Sequence, residues 1–443
     1  MGTTLFFIAL IFEIAFTVYC IVTKQNHQKS RNWVRISAFA AFAILVFSSV
    51  IVWSFRWILL AALLFILAGI GGFSLIRNKA SHRAYKTSRM VVKAVTMTLL
   101  LTLALVPAIV FPQYKLPKVT GQYEVATATY TYIDKSRIEE FDDTGKNRVV
   151  NVQFWYPENA DGTYPLLVFS HGAVGIKASN ASTFRELASH GYVVCSIDHP
   201  YHSFYTVSED ESFILINSEY KREFDNATKE GIYTREQRYG LIQKWMKLRT
   251  DDMNFVIDTI IEKSQNDKAP VYEHINKDRL GVFGHSMGGA ASVWLGRERK
   301  DVSAVVNIDA PFFSELVYNR ESGDFAASGK AYTTPILNIY SDDVWRQIGS
   351  NSTYAANYAA DKNFKESYTV HFQGAKHLSL TDLPLFSPLL ANMLQGGKAT
   401  IDQYYCIETE NELILRFFDY TLKGRGRFTS EGTYGSGNQE PLD

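Results

Sequence analysis

The 443-residue sequence predicts an α/β domain with a mostly parallel sheet and helices on both faces, preceded by four membrane-spanning helices. Two textures and one short motif predict it. Four apolar runs occupy residues 1–112. Strand-like and helix-like segments alternate from about 113 to 428, and a strand runs into "GVFGHSMGGA" before a small-residue helix. Residues 429–443 ("TSEGTYGSGNQEPLD") are polar and glycine-rich and read as a disordered tail.

The apolar runs lie at roughly 4–22, 36–54, 57–76 and 92–111. Each approaches the ~20 residues that cross a ~30 Å hydrocarbon layer. A buried soluble helix can imitate one such run, but four in succession specify a bundle. The first connection carries Lys24, Lys29, Arg31 and Arg35, and the third carries Arg77, Lys79, Arg83, Lys86, Arg89 and Lys93. The second holds only Arg56. Excess Lys and Arg stay cytoplasmic, so both ends of the bundle and the whole following domain are expected outside, on a multi-pass cell-membrane protein. The first run lacks a basic n-region, so a retained helix is expected rather than a cleaved leader. Trp53 and Trp57 flank the short turn as interfacial aromatics do, and Gly69, Gly71 and Gly72 suit close helix packing. Glu13, inside the first run, is expected to be protonated and hydrogen-bonded between helices.

Net charge is zero, but it divides. Up to Lys118 there are 13 Lys and Arg against one acid; beyond it, 32 against 44 acids. The acidic second part argues against a nucleic-acid partner, which needs clustered cations. The three cysteines, Cys20, Cys195 and Cys406, have no spacing that suggests a disulfide framework or a zinc site.

In the second part, "VATATYTYI" (125–133) and "NRVVNVQFWYP" (147–157) alternate as half-buried strands. "PLLVFSHG" (165–172) is near-continuously apolar, as a central strand is. "YVVCSIDHP" (192–200), "RLGVFGHS", "VSAVVNIDAP" (302–311), "TPILNIYSDD" (334–343) and "SYTVHFQGAKH" (367–377) complete the sheet. Helices are expected after 172, over 234–264, after the Gly-x-Ser-x-Gly step, and over 407–422. Two leading strands followed by strand–helix alternation give a doubly covered, mostly parallel sheet, whose ligands bind outside the strands' carboxyl ends. Residues 201–232 are an insertion with a hairpin pattern around an acidic turn.

Gly284-His285-Ser286-Met287-Gly288 gains meaning from its context. A sharp strand-to-helix elbow lifts a serine hydroxyl clear of the sheet, and this is the nucleophile position of the α/β-hydrolase fold. Serine needs a base. After Ser286 there are two histidines: His371 lies within an alternating strand, and His377 lies in the loop at its end. His377 is therefore the expected base. The acid that orients it is open between Asp309, ending the strand after the elbow helix, and Asp342 or Asp343, ending the next. The oxyanion donors are expected to be the backbone N–H groups of Met287 and of Ala173, in the loop after 165–172, with His171 shaping that loop. No zinc-binding string, phosphate loop or dinucleotide fingerprint occurs, so neither cofactor nor metal is implied.

"VQFWYP", "PLLVFSHGAVG", "ELASHGYVVCSIDHP", "VFGHSMGGA", "VNIDAPFF" and "AKHLSLTD", spread over roughly 120–425, resemble the platelet-activating factor acetylhydrolase isoform II family, the plasma-type enzymes. The resemblance implies Asp309 as the acid, Ser286 and His377 as its partners, and Ala173 and Met287 as oxyanion donors. It also implies hydrolysis of short or oxidised acyl chains from phospholipids without calcium. Ala173 stands where the plasma-type enzyme has a larger apolar residue, so the pocket shape is expected to differ. The membrane helices depart from the secreted members; with them the expected partners are a phospholipid-like acyl ester and a lipid bilayer. The alternatives are an esterase of other acyl esters, such as polyesters or acylated glycans, and a retired hydrolase domain serving as a membrane sensor or assembly protein. Oligomeric state is left open.

Overall fold

The computed structural model describes residues 2–77 and 85–435. Two compact units result: Met1–Lys115 with Leu385–Met393, and Leu116–Pro384 with Leu394–Asp443.

The first unit contains α1 (Gly2–Thr23), α2 (Gln28–Phe47), α3 (Ile58–Ile76) and α4 (Thr87–Val110). All four spans are long and apolar enough to cross a membrane. Helix α1 packs on α4 and α2 on α3. The second helix begins and ends earlier than the hydropathy run at 36–54. Ser48 caps it and Ser49 turns left-handed (φ 58°), because a Ser-Ser step followed by β-branched residues favours local side-chain bonding over another helical turn. Trp57 is buried against Phe42 within its own bundle, whereas Trp53 is exposed. Of the three glycines in α3 only Gly71 meets a neighbour, with space for a Cβ limited by the Asn32 carbonyl at 3.0 Å; Gly69 and Gly72 face open space. Glu13 lacks the expected interhelical hydrogen bond, since its buried Oε2 has no partner among the described residues. Lys79 and Arg83 of the third connection lie outside the described residues.

The second unit is built on a nine-stranded sheet. Strands β1 (Val125–Ile138) and β2 (Asn147–Pro157) lead into β3 (Tyr164–Ser170) and β4 (Val193–Asp198). The 201–232 insertion forms the hairpin β5 (Tyr205–Val207) and β6 (Phe213–Leu215). Then come β7 (Ile275–His285), β8 (Val302–Ile308), a small hairpin β9 (Leu316–Asn319) and β10 (Asp324–Ala327), β11 (Ile336–Ser341) and β12 (Ser367–Phe372). The sheet order is β1-β2-β4-β3-β7-β8-β11-β12 with β13 (Gly432–Tyr434) at the far edge. Only the β1–β2 and β2–β4 pairings are antiparallel. Strand β13 corrects the expected tail: "GTY" pairs with Val370–Phe372, and the edge is closed by Tyr434 packing on Phe372. Residues 436–443 lie outside the described residues.

Each face of the sheet has its own core. Helix α5 (Ala181–Ser189) and the C-terminal helix Gln403–Lys423 cover the face carrying Leu167, Phe169, Phe283 and Val306. On the other face α6 (Ser218–Ala227), α7 (Arg235–Asn266) and the helix Met287–Glu298 cover Val168, Val282 and Val305. Alternation along β3, β7 and β8 sends successive side chains to opposite cores, which is why these strands read as continuous apolar runs.

Candidate active site

The carboxyl ends of β3, β7, β8 and β12 converge on Ser286. Its backbone is strained (φ 54°, ψ −124°) and held by a bond from its N–H to the Ile308 carbonyl at 2.7 Å. Left-handed serine costs of order 1–3 kcal/mol and persists only where its surroundings impose it. The turn demands glycine at 288: a Cβ there would lie 1.9 Å from the Ser170 carbonyl oxygen. Ser286 is half-buried and opens the helix Met287–Glu298, as the motif required.

His377 stands in the short turn after β12, with about a third of its side chain exposed. Its Nδ1 lies 2.7 Å from Asp309 Oδ2. A carboxylate only accepts, so Nδ1 carries the proton and Nε2 is left as a base. Asp309 is buried and also accepts from Ser341 N–H (2.6 Å) and Ser341 Oγ (2.7 Å). It too is left-handed (φ 58°). Asp342 and Asp343 are engaged otherwise. Asp342 faces His371 Nε2 at 2.8 Å, and Asp343 accepts the backbone N–H of His377 at 3.1 Å. Beside this pair His285 donates Nε2–H to the His377 carbonyl (3.0 Å), and the two rings are 4.5 Å apart. Burial, then the neighbouring His377, hold His285 well below the ordinary histidine pKa, so it stays neutral.

The loop Ser170–Val174 forms the opposite wall. Gly172 is closest: a Cβ on it would meet Ser286 Cβ at 3.3 Å. Among the described residues neither Ala173 N–H nor Met287 N–H has a protein acceptor, so both are free for a ligand oxygen. His171 is a brace. Its Nδ1 donates to the Gly172 carbonyl (2.6 Å), and its Nε2 meets Ser203 Oγ at 2.7 Å. Burial, then the Arg249 charge, keeps it neutral, which makes Nε2 the acceptor from the Ser203 hydroxyl.

Beneath the loop lies a buried polar network that the motif gave no hint of. Arg249 donates to Ser170 Oγ (3.3 Å), the His171 carbonyl and the Gly172 carbonyl (3.2 Å). Ser170 Oγ meets His199 Nε2 at 2.9 Å, and His199 Nδ1 donates to Asp252 at 3.0 Å. Asp252 also receives Arg148 (2.8 Å) and Arg137 (2.9 Å), and Arg148 pairs with Glu139 (2.9 Å). Burial works against the Asp252 charge, but Arg148 and the hydrogen bonds outweigh it and hold the carboxyl far below its usual range. The sequence signal was present: Arg249 and Asp252 occupy the core-facing positions of α7 between Trp245, Met246, Met253 and Val256. Among the described residues no three potential ligands converge to hold a metal ion.

A family model described as platelet-activating factor acetylhydrolase, isoform II, matches residues 149–440. The platelet-activating factor acetylhydrolase of Canis lupus familiaris is 24% identical over 294 residues, covering 63% of this chain and 62% of the relative. Cutinase 1 of Thermobifida cellulosilytica is 25% identical over 152 residues, covering 34% of this chain and 41% of the relative. The match thus spans less than two thirds of either relative's length. A ferulic acid esterase from Streptomyces cinnamoneus superposes with a TM-score of 0.55 at 20% identity, covering 70% of this chain and 94% of that one. At that identity the likeness bears on the fold, which is that of an α/β-hydrolase.

Proposed function

This chain belongs to the platelet-activating factor acetylhydrolase, isoform II, family, and we propose that it is a membrane-anchored serine ester hydrolase acting on short or oxidised acyl esters of phospholipid-like substrates. The observation that carries the reading is the Asp309–His377 contact of 2.7 Å beside a strained Ser286 elbow. Ser286 Oγ attacks the ester carbonyl while His377 Nε2 takes the hydroxyl proton. Asp309 keeps the ring in the required tautomer and stabilises the imidazolium. Ala173 and Met287 N–H groups bind the oxyanion, and His377 returns the proton to the departing alcohol. Water, deprotonated by the same Nε2, then cleaves the acyl-enzyme and restores the Ser286 hydroxyl.

The four apolar helices support anchoring, and the basic first and third connections support an outward-facing catalytic unit. A lipid-like substrate fits both. Labelling of the full-length chain by a fluorophosphonate, lost in Ser286→Ala, tests the nucleophile; a folded wild type that stays unlabelled sinks the reading. The match to a cutinase over 152 residues favours a second reading, a broader carboxylesterase. A chain-length series of p-nitrophenyl esters beside short-chain phosphatidylcholines separates the two. A preference for short acyl groups together with phosphatidylcholine turnover supports the first, and turnover of the simple esters alone supports the second.

A further inference from the structure

We propose that Arg249 is a positioning residue of the oxyanion site: it fixes the Gly172–Ala173 peptide so that the Ala173 N–H is held ready for the oxygen that becomes negative when Ser286 attacks. The inference rests on the reading of Ser286 as nucleophile and Ala173 as donor.

Arg249 is completely buried on α7. A guanidinium in such a place is normally paired with a carboxylate. Here the nearest acid, Asp252, is taken up by Arg148, Arg137 and His199, and no ion pair joins it to Arg249 among the described residues. Apart from an interaction with the Tyr220 side chain, the hydrogen bonds in which Arg249 is the donor among the described residues go to uncharged acceptors in one loop: Ser170 Oγ, the His171 carbonyl and the Gly172 carbonyl. Its Nε has no acceptor among the described residues. For stability alone an apolar side chain of similar volume would serve as well or better, since the desolvation of a buried charge is only partly offset by carbonyl dipoles.

The geometry supplies what stability does not. The Gly172 carbonyl and the Ala173 N–H belong to one peptide unit, which is trans and planar, so they point in opposite directions. Arg249 Nη2 (3.2 Å) and His171 Nδ1 (2.6 Å) both hold the carbonyl end. That fixes the direction of the N–H, which has no protein acceptor of its own among the described residues. Val174 turns the chain away immediately afterwards with φ 60°. Gly172 itself packs against the nucleophile. The positive charge also sits at the carbonyl end of the peptide dipole, strengthening its N–H end as a donor. Both effects are felt only when the substrate oxygen carries charge, so they lower the barrier without tightening substrate binding.

The test uses the full-length chain in detergent micelles, with p-nitrophenyl acetate as substrate and phenylboronic acid as a mimic of the tetrahedral adduct. Arg249→Met is expected to lower kcat by roughly 10–100-fold, somewhat less than the loss of a direct oxyanion donor, with KM changed by less than about 2-fold. Boronic-acid affinity is expected to fall by the same factor as kcat/KM. Arg249→Lys, which keeps the charge but not the fork, is expected to recover part of the loss. A merely structural residue would instead lower the active fraction, leaving kcat per folded molecule and boronate affinity unchanged, and that result overturns the proposal. Should Arg249→Met fail to fold, Arg249→Lys and Ser203→Ala decide. The latter frees His171 from its Nε2 partner and is expected to show a smaller loss with the same kcat-only signature; unchanged kcat in both overturns the proposal. A wild type that neither hydrolyses the ester nor takes up a fluorophosphonate fails earlier, and condemns the underlying reading rather than the role of Arg249.

Discussion

On one side of Ser286, His377 and Asp309 bond each other directly from the ends of two strands, and the histidine remains about one-third exposed. On the other side, Arg249 holds the backbone of the Ser170–Ala173 loop, and behind it His199, Asp252, Arg148 and Glu139 complete a buried network drawn from four segments. In the proposed reaction the first half exchanges protons with substrate and water, so it needs few groups and access. The second must hold uncharged N–H groups still while charge appears in front of them, so it is sealed and overdetermined. Under the proposed function, the difference teaches that proton transfer is local, whereas electrostatic preorganisation draws on the core.

The largest effects should come from the acid–base half. Ser286→Ala is expected to abolish esterase activity. Asp309→Asn should lower kcat by about 10⁴-fold while the protein stays folded, because the amide can donate to Nδ1 and favour the wrong tautomer. Steady-state kinetics alongside circular dichroism check both. Next comes Asp252→Asn in the buried half. It leaves Arg148 short of one carboxylate and deprives His199 of its acceptor, at a cost of about 3–5 kcal/mol of stability. Urea unfolding in micelles measures it. A large loss of stability with kcat per folded molecule changed less than in Arg249→Met would separate the scaffold of this half from its positioning residue.

The two halves also differ in how far the sequence reveals them. Strand–Gly-x-Ser-x-Gly–helix announces an elbow because a short segment must satisfy strand, strained turn and close helix approach at once. His377 followed by elimination, as the alternative histidine lay mid-strand. Asp309 was undecided between two strand ends until the family pattern chose it. The buried half left only the placement of Arg249 and Asp252 within the apolar stripe of α7. Their partners, His199, the Ser170 hydroxyl and the carbonyls of 171 and 172, lie 53 to 79 positions away, and no local period links them. Among the outer elements, β13 was missed because a three-residue parallel edge strand containing glycine carries almost no periodicity. The burial of Trp57 was not legible, because an aromatic at a helix end looks the same whether it faces outward or its own bundle.

A smaller effect distinguishes the halves by pH. Burial, then the Arg249 charge, hold His199 down at about 4, against the partial support of Asp252. The unfolded chain takes up a proton near pH 6.5 that the folded chain refuses until about pH 4. Its contribution is therefore intact above 6.5 and is lost as pH falls through that window, by up to about 3 kcal/mol. Asp382, raised to about 6 by burial against the hydrogen bonds from Ser182, acts in the opposite sense, losing its contribution as pH rises towards 6. Comparing variants isolates the histidine. Between pH 7 and 5, His199→Gln should lose about 2 kcal/mol less than wild type in urea unfolding. Equal losses would mean that His199 titrates in the folded chain as it does in the unfolded one.

The smallest predicted effects bear most directly on which carboxylate serves His377. Asp342 bonds His371 Nε2 (2.8 Å), the Gly374 N–H (3.1 Å) and Arg346 (2.9 Å), so it ties β11 to the turn after β12 without touching the base. Asp343 reaches the His377 backbone N–H and Lys376, so it steadies the loop that carries the base but not the ring. Both are partly exposed, and partly exposed pairs are worth about 0–1 kcal/mol. Asp342→Ala should therefore leave kcat within about 2-fold of wild type, and Asp343→Ala should lower it by no more than about 5-fold, the rate equivalent of 1 kcal/mol. Measured beside Asp309→Asn, the three variants rank the carboxylates by what they touch: ring nitrogen, then backbone of the base, then neighbouring strand. A 10³-fold loss in Asp342→Ala or Asp343→Ala, with Asp309→Asn nearly intact, would move the acid to the end of β11 and make the 2.7 Å contact at Asp309 a resting-state pairing only.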